Sequence, residues 1–334
     1  LQIYEIIIFV NMKLIYPFFF FLFLSCCTNI EKQNEINIYR FEDILFNSNE
    51  DNIVQNRQEW ESQIGQFSDV YYSFVTREND FNLINSALLS FINNDDMMEV
   101  YDSIQVKFKN LNESELELSK AFLNFNNFFP EFSNPRIVSM FSGFNYGVIV
   151  QDSIIALGLD FYLGDKSIFY QRLNDPEYLK YQKQLKFLVP NVMEAWYDSF
   201  FTHTNKNVNF LSQLIYKGKI MFLLSKTMPD ISMDRLLRYS ISDLSWCKKS
   251  EASIWAFLIE NDILFSTKQK DYRTYLNHAP FSKGMPQDSP SRIAYYIGYE
   301  IVKSYMQKNR DVNLNELMND TDYNSILNKS KYKP

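Results

Sequence analysis

Residues 137–164 read IVSMFSGFNYGVIVQDSIIALGLDFYLG, and this stretch decides the fold. Three runs within it are rich in β-branched and apolar residues: 137–141, 148–150 and 153–159. Gly143 and Gly147 separate the first two runs, and Gln151-Asp152 lies before the third. Short apolar runs bounded by turn residues are typical of β-strands. The stretch therefore predicts a small central sheet of three short strands joined by tight turns.

The residues before this stretch have the spacing of helices. Phe41, Ile44 and Leu45 fall on one helical face, and similar apolar spacing continues to about residue 130. Gly65 is the only glycine before Gly143, which suits packed helices because glycine weakens a helix interior. The first part of the chain is therefore predicted to be helical.

The residues after Asp165 return to helical spacing. Asp175-Pro176-Glu177 has the pattern of a helix start, with aspartate at the cap and proline in the first turn. Further helices are predicted over three stretches: 209–225, 250–265 and 289–308.

The whole pattern predicts a mainly helical α+β protein, with a helical N-terminal half, a small central β-sheet and a helical C-terminal half. Residues 38–315 are expected to form one domain. Its helical part covers about 38–130, and the sheet with the later helices covers about 136–310. Residues 316–334 are expected to form a polar tail.

The N-terminal region has the pattern of an export signal. Met12 and Lys13 form a short charged start, residues 14–24 are an unbroken apolar stretch, and Ser25-Cys26 follows. The apolar stretch is shorter than the about 20 residues that a membrane-spanning helix needs. The pattern predicts a lipobox, in which Cys26 is acylated and becomes the new N-terminus.

The lipobox divides the N-terminal region into segments. Residues 1–11 are interpreted as a mis-assigned start, 12–25 as a lipoprotein signal peptide and 26–37 as a lipidated tether. Cys27 is the alternative lipidation site, although a small residue normally precedes the modified cysteine. The other interpretation is one uncleaved anchor helix over 3–24, interrupted by charged residues that are costly in a membrane.

The composition argues against several classes of protein. The 334 residues carry a formal net charge of -7, whereas nucleic-acid binding relies on clustered basic residues. A catalytic zinc usually takes three protein ligands, and His203 and His278 are the only histidines. No Gly-x-Ser-x-Gly elbow occurs. We expect no catalytic residue, no metal ligand and no cofactor beyond the lipid on Cys26, with Cys247 a buried structural thiol.

Four ordered blocks carry a family pattern, the last of them in two parts: 154–164 (IIALGLDFYLG), 215–220 (IYKGKI), 246–255 (WCKKSEASIW), and 286–293 (PQDSPSRI) with 296–302 (YIGYEIV). Together with the lipobox, these blocks resemble the gliding motility lipoprotein family GldB of Bacteroidetes. Ser250 stands where that family usually has asparagine. The resemblance extends from the lipobox to about Met306.

The GldB family in turn looks like a relative of zinc peptidases, in which a His-Glu-x-x-His helix and a later glutamate hold the metal. The comparable helix here carries Tyr216-Lys217-Gly218-Lys219 and supplies no imidazole. Glu251 is similar to the third ligand. Because two lysines repel a cation, the resemblance implies a zincin-like fold without its metal motif. We hypothesise that Lys219 pairs with Glu251.

The resemblance also implies a vestigial cleft or binding groove. Its expected residues are Tyr216, Lys217, Lys219, Glu251, Asp160 and Arg292. Arg292 follows two prolines near the start of a helix and is expected to be exposed and functional, with a structural salt bridge as the open alternative.

The function implied by the resemblance is that of a membrane-anchored periplasmic lipoprotein, needed for gliding motility and the associated type IX secretion machinery. It is expected at the outer membrane as a non-catalytic structural or binding component, with other proteins of that apparatus as partners. Two alternatives stay open. One is a tethered hydrolase or peptidase that uses a buried lysine as a base. The other is a surface lipoprotein that binds a nutrient or glycan on tyrosine and tryptophan rings.

Overall fold

The computed structural model describes residues 35–76, 78, 80, 82–201 and 208–334. The predictions about the lipobox cysteines, Cys26 and Cys27, and about His203 lie outside the described residues.

A mixed sheet lies in the middle of the described chain. Its strands are β1 (Ile38–Arg40), β2 (Arg136–Met140), β3 (Val148–Gln151) and β4 (Ile154–Gly158), in the order β1-β2-β4-β3. β1, β2 and β4 run parallel, and β3 and β4 form an antiparallel hairpin. Asp152 has a φ of 52° in the hairpin turn.

The predicted sheet is confirmed, with two corrections to its connections. β2 pairs with β4 rather than with β3, so only the last two predicted strands form a hairpin. β1 lies within the part of the chain predicted to be helical. A strand of three residues is too short to give a periodic signal, and it is held by pairing with Ile137, Val138 and Ser139 across the sheet.

Helices surround the sheet, and the mainly helical α+β class is confirmed. They are α1 (Phe41–Phe46), α2 (Ile53–Ile64), α3 (Phe67–Thr76), α4 (Ile84–Ile92), α5 (Asp95–Lys107), α6 (Asn112–Phe128), α7 (Ile168–Arg172), α8 (Glu177–Lys180), α9 (Leu188–Phe200), α10 (Phe210–Thr227), α11 (Met233–Leu237), α12 (Ile241–Glu260), α13 (Gln269–Leu276), α14 (Ile293–Lys308), α15 (Leu314–Asn319) and α16 (Tyr323–Ser330). Among the described helices, none is both long and apolar enough to cross a membrane.

Helix α10 is the centre of the C-terminal half, and it touches α14 through glycine. A Cβ atom built on Gly218 would lie 2.2 Å from the carbonyl oxygen of Gly298. One built on Gly298 would lie 2.1 Å from the carbonyl oxygen of Leu214. Any side chain at either position would push the two backbones apart. The contact therefore leaves no groove between α10 and α14 at this point.

The last residues fold onto these helices, which corrects the expected polar tail over 316–334. Helices α15 and α16 bury Leu317, Met318, Tyr323 and Ile326. The domain therefore continues well past the expected boundary at residue 315. The two helices have only six and eight residues, so few apolar positions mark them against a polar background.

Candidate functional site

A cluster of charged side chains joins α9, α10 and the turn after α11. Glu194 and Asp198 lie one turn apart on α9, and they face Lys217 from α10. The Lys217 ammonium lies 2.7 Å from Asp198 Oδ2 and 3.4 Å from Glu194 Oε1. Arg238 Nη2 lies 2.8 Å from Glu194 Oε2, and Tyr216 donates a 2.7 Å hydrogen bond to Asp198. We call Glu194, Asp198, Lys217 and Arg238 the charge cluster.

The charge cluster keeps Glu194 and Lys217 ionised. Burial by itself would raise the pKa of Glu194, but the attraction of Arg238, Lys217 and Arg292 outweighs it and lowers that pKa. Burial likewise disfavours the charged Lys217, yet Tyr295 and the carboxylates of Glu194 and Asp198 raise the pKa of its ammonium. A lysine that acts as a general base needs a lowered pKa, so the shift at Lys217 is in the opposite direction.

Arg238 is one of three residues of this cluster that sequence reasoning missed, the others being Glu194 and Asp198. Its side chain is 2% exposed and its φ is 58°. The guanidinium donates to the carbonyl oxygens of Leu236 and Pro190 at 2.6 Å each, and to Asn191 Oδ1 at 3.0 Å. Its partners come from distant parts of the sequence, and no local motif could have indicated them.

Arg292 is buried, which corrects the expectation that it is exposed. Only 6% of the residue is accessible, and its φ is 59°. Its backbone N–H donates to the carbonyl of Thr274 at 3.1 Å. Its guanidinium carbon lies 3.8 Å from the centre of the Tyr295 ring, and Nη1 donates to the carbonyl of Leu237 at 3.4 Å. Most of the loop after α13 is exposed, as its prolines suggested, but its last residues, including Ser289 and Arg292, are buried.

The hypothesised pair of Lys219 and Glu251 is wrong, because each side chain has other partners. Lys219 Nζ donates to the carbonyl oxygens of Met318 and Asp320, both at 2.9 Å. Glu251 accepts 2.7 Å hydrogen bonds from the Tyr296 and Tyr332 hydroxyls. The C-terminal segment thus supplies partners to both residues, and sequence reasoning had set that segment aside as a polar tail.

Asp160 lies outside the charge cluster and bonds to the loop between β2 and β3. It follows β4 and accepts hydrogen bonds from the backbone N–H groups of Ser142 and Phe144, and from the Ser142 hydroxyl. Burial raises the pKa of Asp160 to about 6, against these donors. Because Phe144 has a φ of 64°, the carboxylate fixes an unusual loop between β2 and β3.

The structure therefore divides the expected cleft residues. Tyr216 and Lys217 lie at the charge cluster, with Arg292 close enough to act on the pKa of Glu194. The other three expected residues bond elsewhere, as described above. Beside the charge cluster lies a separate cavity of about 270 Å³, which we call the Arg292 pocket. It is lined by Tyr178, Tyr181, Gln182, Arg238, Tyr239, Asp243, His278, Ala279, Pro280, Gln287, Asp288, Ser289, Pro290, Ser291 and Arg292.

Two guanidinium groups, those of Arg238 and Arg292, lie in the buried part of the wall of the Arg292 pocket. His278 lies on the exposed part of the same wall. Desolvation, followed by the Arg292 guanidinium, lowers the pKa of His278. Glu194 opposes this shift, and Arg238 adds to it.

Among the described residues, no group of three or more His, Cys, Asp and Glu side chains could hold a metal ion. Cys247 is fully buried, as predicted, and burial raises the pKa of its thiol to about 12. A thiol with so high a pKa is a poor nucleophile at neutral pH.

Comparison with known proteins gives one match. The family model described as gliding motility protein GldB matches residues 27–334. No curated protein and no solved structure matches the chain. The zincin-like fold that the sequence blocks imply therefore stays a prediction.

Proposed function

The chain belongs to the GldB family of gliding motility lipoproteins, and from this premise we propose that it is a non-catalytic structural component of the motility machinery. Family membership implies a part in gliding motility at the cell envelope. Our proposal adds an outer-membrane position facing the periplasm, a link to type IX secretion and partners within that apparatus. It requires no nucleic acid, and no cofactor beyond the covalent lipid.

One observation carries the non-catalytic proposal: Lys217 and Lys219, the two lysines in the middle of α10, are both bonded by the protein itself. Lys217 is held by two carboxylates, and Lys219 by two carbonyl oxygens. Side chains bonded in this way are held in place and are not free to meet a substrate. Gly218, which lies between the two lysines in sequence, contacts Gly298 of α14 closely. This part of α10 therefore packs against another helix.

The first test separates structural from chemical use of the charge cluster. We would replace Lys217 by Met and Asp198 by Asn together, in a gliding host whose own family gene is deleted. Neutralising both partners of a buried pair is often tolerated, whereas removing one leaves an unpaired charge. The double variant should keep colony spreading, and Lys217→Met alone should lower the amount of folded protein.

The result that would contradict the proposal is equally specific. A double variant that is folded and present at normal levels, yet does not glide, would indicate that these groups take part in chemistry. Peptide cleavage by the purified wild type, absent in the double variant, would support the tethered hydrolase instead.

The second test concerns the lipid anchor. Cys26→Ala should abolish labelling by an alkyne-tagged palmitate and release the protein from membranes, because a single residue carries the acyl chains. Cys27→Ala is the matched control and should keep both properties. Labelling that persists in Cys26→Ala and disappears in Cys27→Ala would place the anchor on the second cysteine.

A further inference from the structure

We infer that the Arg292 pocket binds a small ligand through an oxyanion, either a carboxylate or a phosphate, held by the Arg292 guanidinium. This inference is independent of the proposed lipid anchor and of the proposed non-catalytic role. It concerns the pocket beside Arg292, and it does not involve the lysines of α10.

Counting charges gives the first reason. Lys217, Arg238 and Arg292 bring three positive charges, whereas Glu194 and Asp198 bring two negative ones. The group therefore has a net charge of about +1 in an interior where an uncompensated charge is costly. An anion in the adjoining pocket would balance it.

The bonding of Arg292 shows that the excess positive charge lies on this residue. Arg238 has a carboxylate partner and further carbonyl partners, and Lys217 has two carboxylates. Arg292 makes no ion pair with any residue that the structure describes. Its side chain has only the Leu237 carbonyl, at a long 3.4 Å, and the Tyr295 side chain. A guanidinium can donate five hydrogen bonds in a planar fork that matches carboxylate and phosphate oxygens.

The start of α14 adds a second attraction for an anion. Arg292 is itself the residue before this 16-residue helix, and no side chain caps the helix there. The first backbone N–H groups of a helix have no partners within it and carry a partial positive charge. The neighbouring start of α12 differs, because Ser240 and Asp243 cap each other's backbone groups.

Neither of the two carboxylates that line the pocket forms an ion pair with Arg292. Asp243 accepts from the backbone N–H of Ser240, and Asp288 is exposed. The tyrosine walls are fixed, since Tyr181 donates to the Tyr239 carbonyl and Tyr239 donates to the Ser291 carbonyl, both at 3.0 Å. A cavity of about 270 Å³ with such walls suits a small organic group attached to the anion.

The experiment is calorimetric titration of the full chain in detergent. Three probes distinguish the source of the oxyanion: N-acetyltyrosine, its uncharged amide N-acetyltyrosinamide, and inorganic phosphate. The carboxylate should bind at least about 10-fold more tightly than the amide, because hydrogen bonds to an ionised acceptor are the stronger ones. Phosphate binding without carboxylate binding would assign the pocket to phosphate ligands and still support the inference.

Variants tie any binding to the pocket. Arg292→Lys keeps the charge but loses the planar fork, and it should weaken binding by about 10-fold or more. Arg310→Gln removes one positive charge from an exposed position and should leave binding unchanged. His278→Asp places a carboxylate on the largely exposed pocket wall, so it tests the site even if variants of Arg292 fail to fold.

His278→Asp should reduce anion binding by about 10-fold or more, since the new carboxylate takes the place of the ligand. The inference is overturned if neither anion binds the folded wild type. It is overturned equally if binding is the same in His278→Asp as in wild type.

Discussion

The replacement of Glu194 by Gln tests whether the charge cluster holds the C-terminal half together. Glutamine has the shape of glutamate, so the change removes charge and leaves packing nearly intact. Arg238 is 2% exposed and would lose its carboxylate at 2.8 Å, while Lys217 would keep only Asp198. Removing one partner of a buried pair costs about 3–5 kcal/mol. For a domain of this size, that loss lowers the melting temperature by roughly 6–10 °C.

The assay is thermal and urea unfolding of wild type and Glu194→Gln. Glu177→Gln is the matched control, because its side chain is 88% exposed although it also pairs with a lysine. An exposed pair contributes little, so the control should leave the free energy of unfolding nearly unchanged. If Glu194→Gln unfolds at the same temperature as this control, the cluster does not stabilise the fold and the reasoning is refuted.

The pH dependence gives a second check on Glu194. Its pKa in the folded protein lies below its ordinary value of 4.5. A lowered pKa means that the stabilisation is complete above the unfolded value and is lost as the pH falls below it. The difference between wild type and Glu194→Gln should therefore be constant from pH 7 to about 5 and should shrink at lower pH.

Three further changes test other parts of the fold by unfolding measurements. Gly218→Ala would gain about 1 kcal/mol from helix propensity alone, but the 2.2 Å contact with Gly298 should reverse the sign and cost about 2 kcal/mol or more. If Gly218→Ala is more stable than wild type, α10 and α14 can move apart at little energetic cost. Ile326→Ala should cost about 2–5 kcal/mol, because Ile326 is fully buried. The control Ile241→Ala, at an 80% exposed position, should change the free energy of unfolding by less than about 0.5 kcal/mol. If Ile326→Ala and Ile241→Ala destabilise the protein equally, the C-terminal helix is not part of the core. Lys219→Met should speed amide hydrogen exchange in α15 and α16, because two carbonyls lose their donor. Burial lowers the pKa of Lys219 to about 8, so wild type should gain stability over this variant as the pH rises from about 8 to 10, and a pH-independent difference would contradict the assignment.

Much of the fold could be predicted from local patterns. The hairpin of β3 and β4 follows from two β-branched runs around Gln151-Asp152, and the helices follow from apolar spacing. The partner of β2 could not be predicted in this way, because register across a sheet depends on contacts distant in sequence. β1 was missed for the same reason. The tail could have been found from its caps, since Asn313 and Glu316 form a capping box.

Sequence patterns predicted some residues of the candidate site but not the residues that they contact. Tyr216 and Lys217 do lie at the charge cluster, but Glu194, Asp198 and Arg238 were not predicted as their partners. A carboxylate or guanidinium looks the same in sequence whether it lies in water or in the core. Burial is decided by the tertiary fold, and only burial makes such pairs consequential.

The bonding of the buried cations indicates where function is to be sought. Lys217, Lys219 and Arg238 each have strong acceptors at 2.6–2.9 Å within the protein. These groups stabilise the fold, although α10 is the helix that resembles the metal-binding helix of peptidases. Arg292 is also buried, but it has only a long hydrogen bond to a carbonyl and the Tyr295 side chain, with no ion pair among the described residues, and it borders a cavity. A fold that keeps an unbalanced guanidinium beside an open space bears a cost that a bound anion would offset. The inferred ligand site therefore lies at the start of α14, and α10 packs against that helix through Gly218 and Gly298.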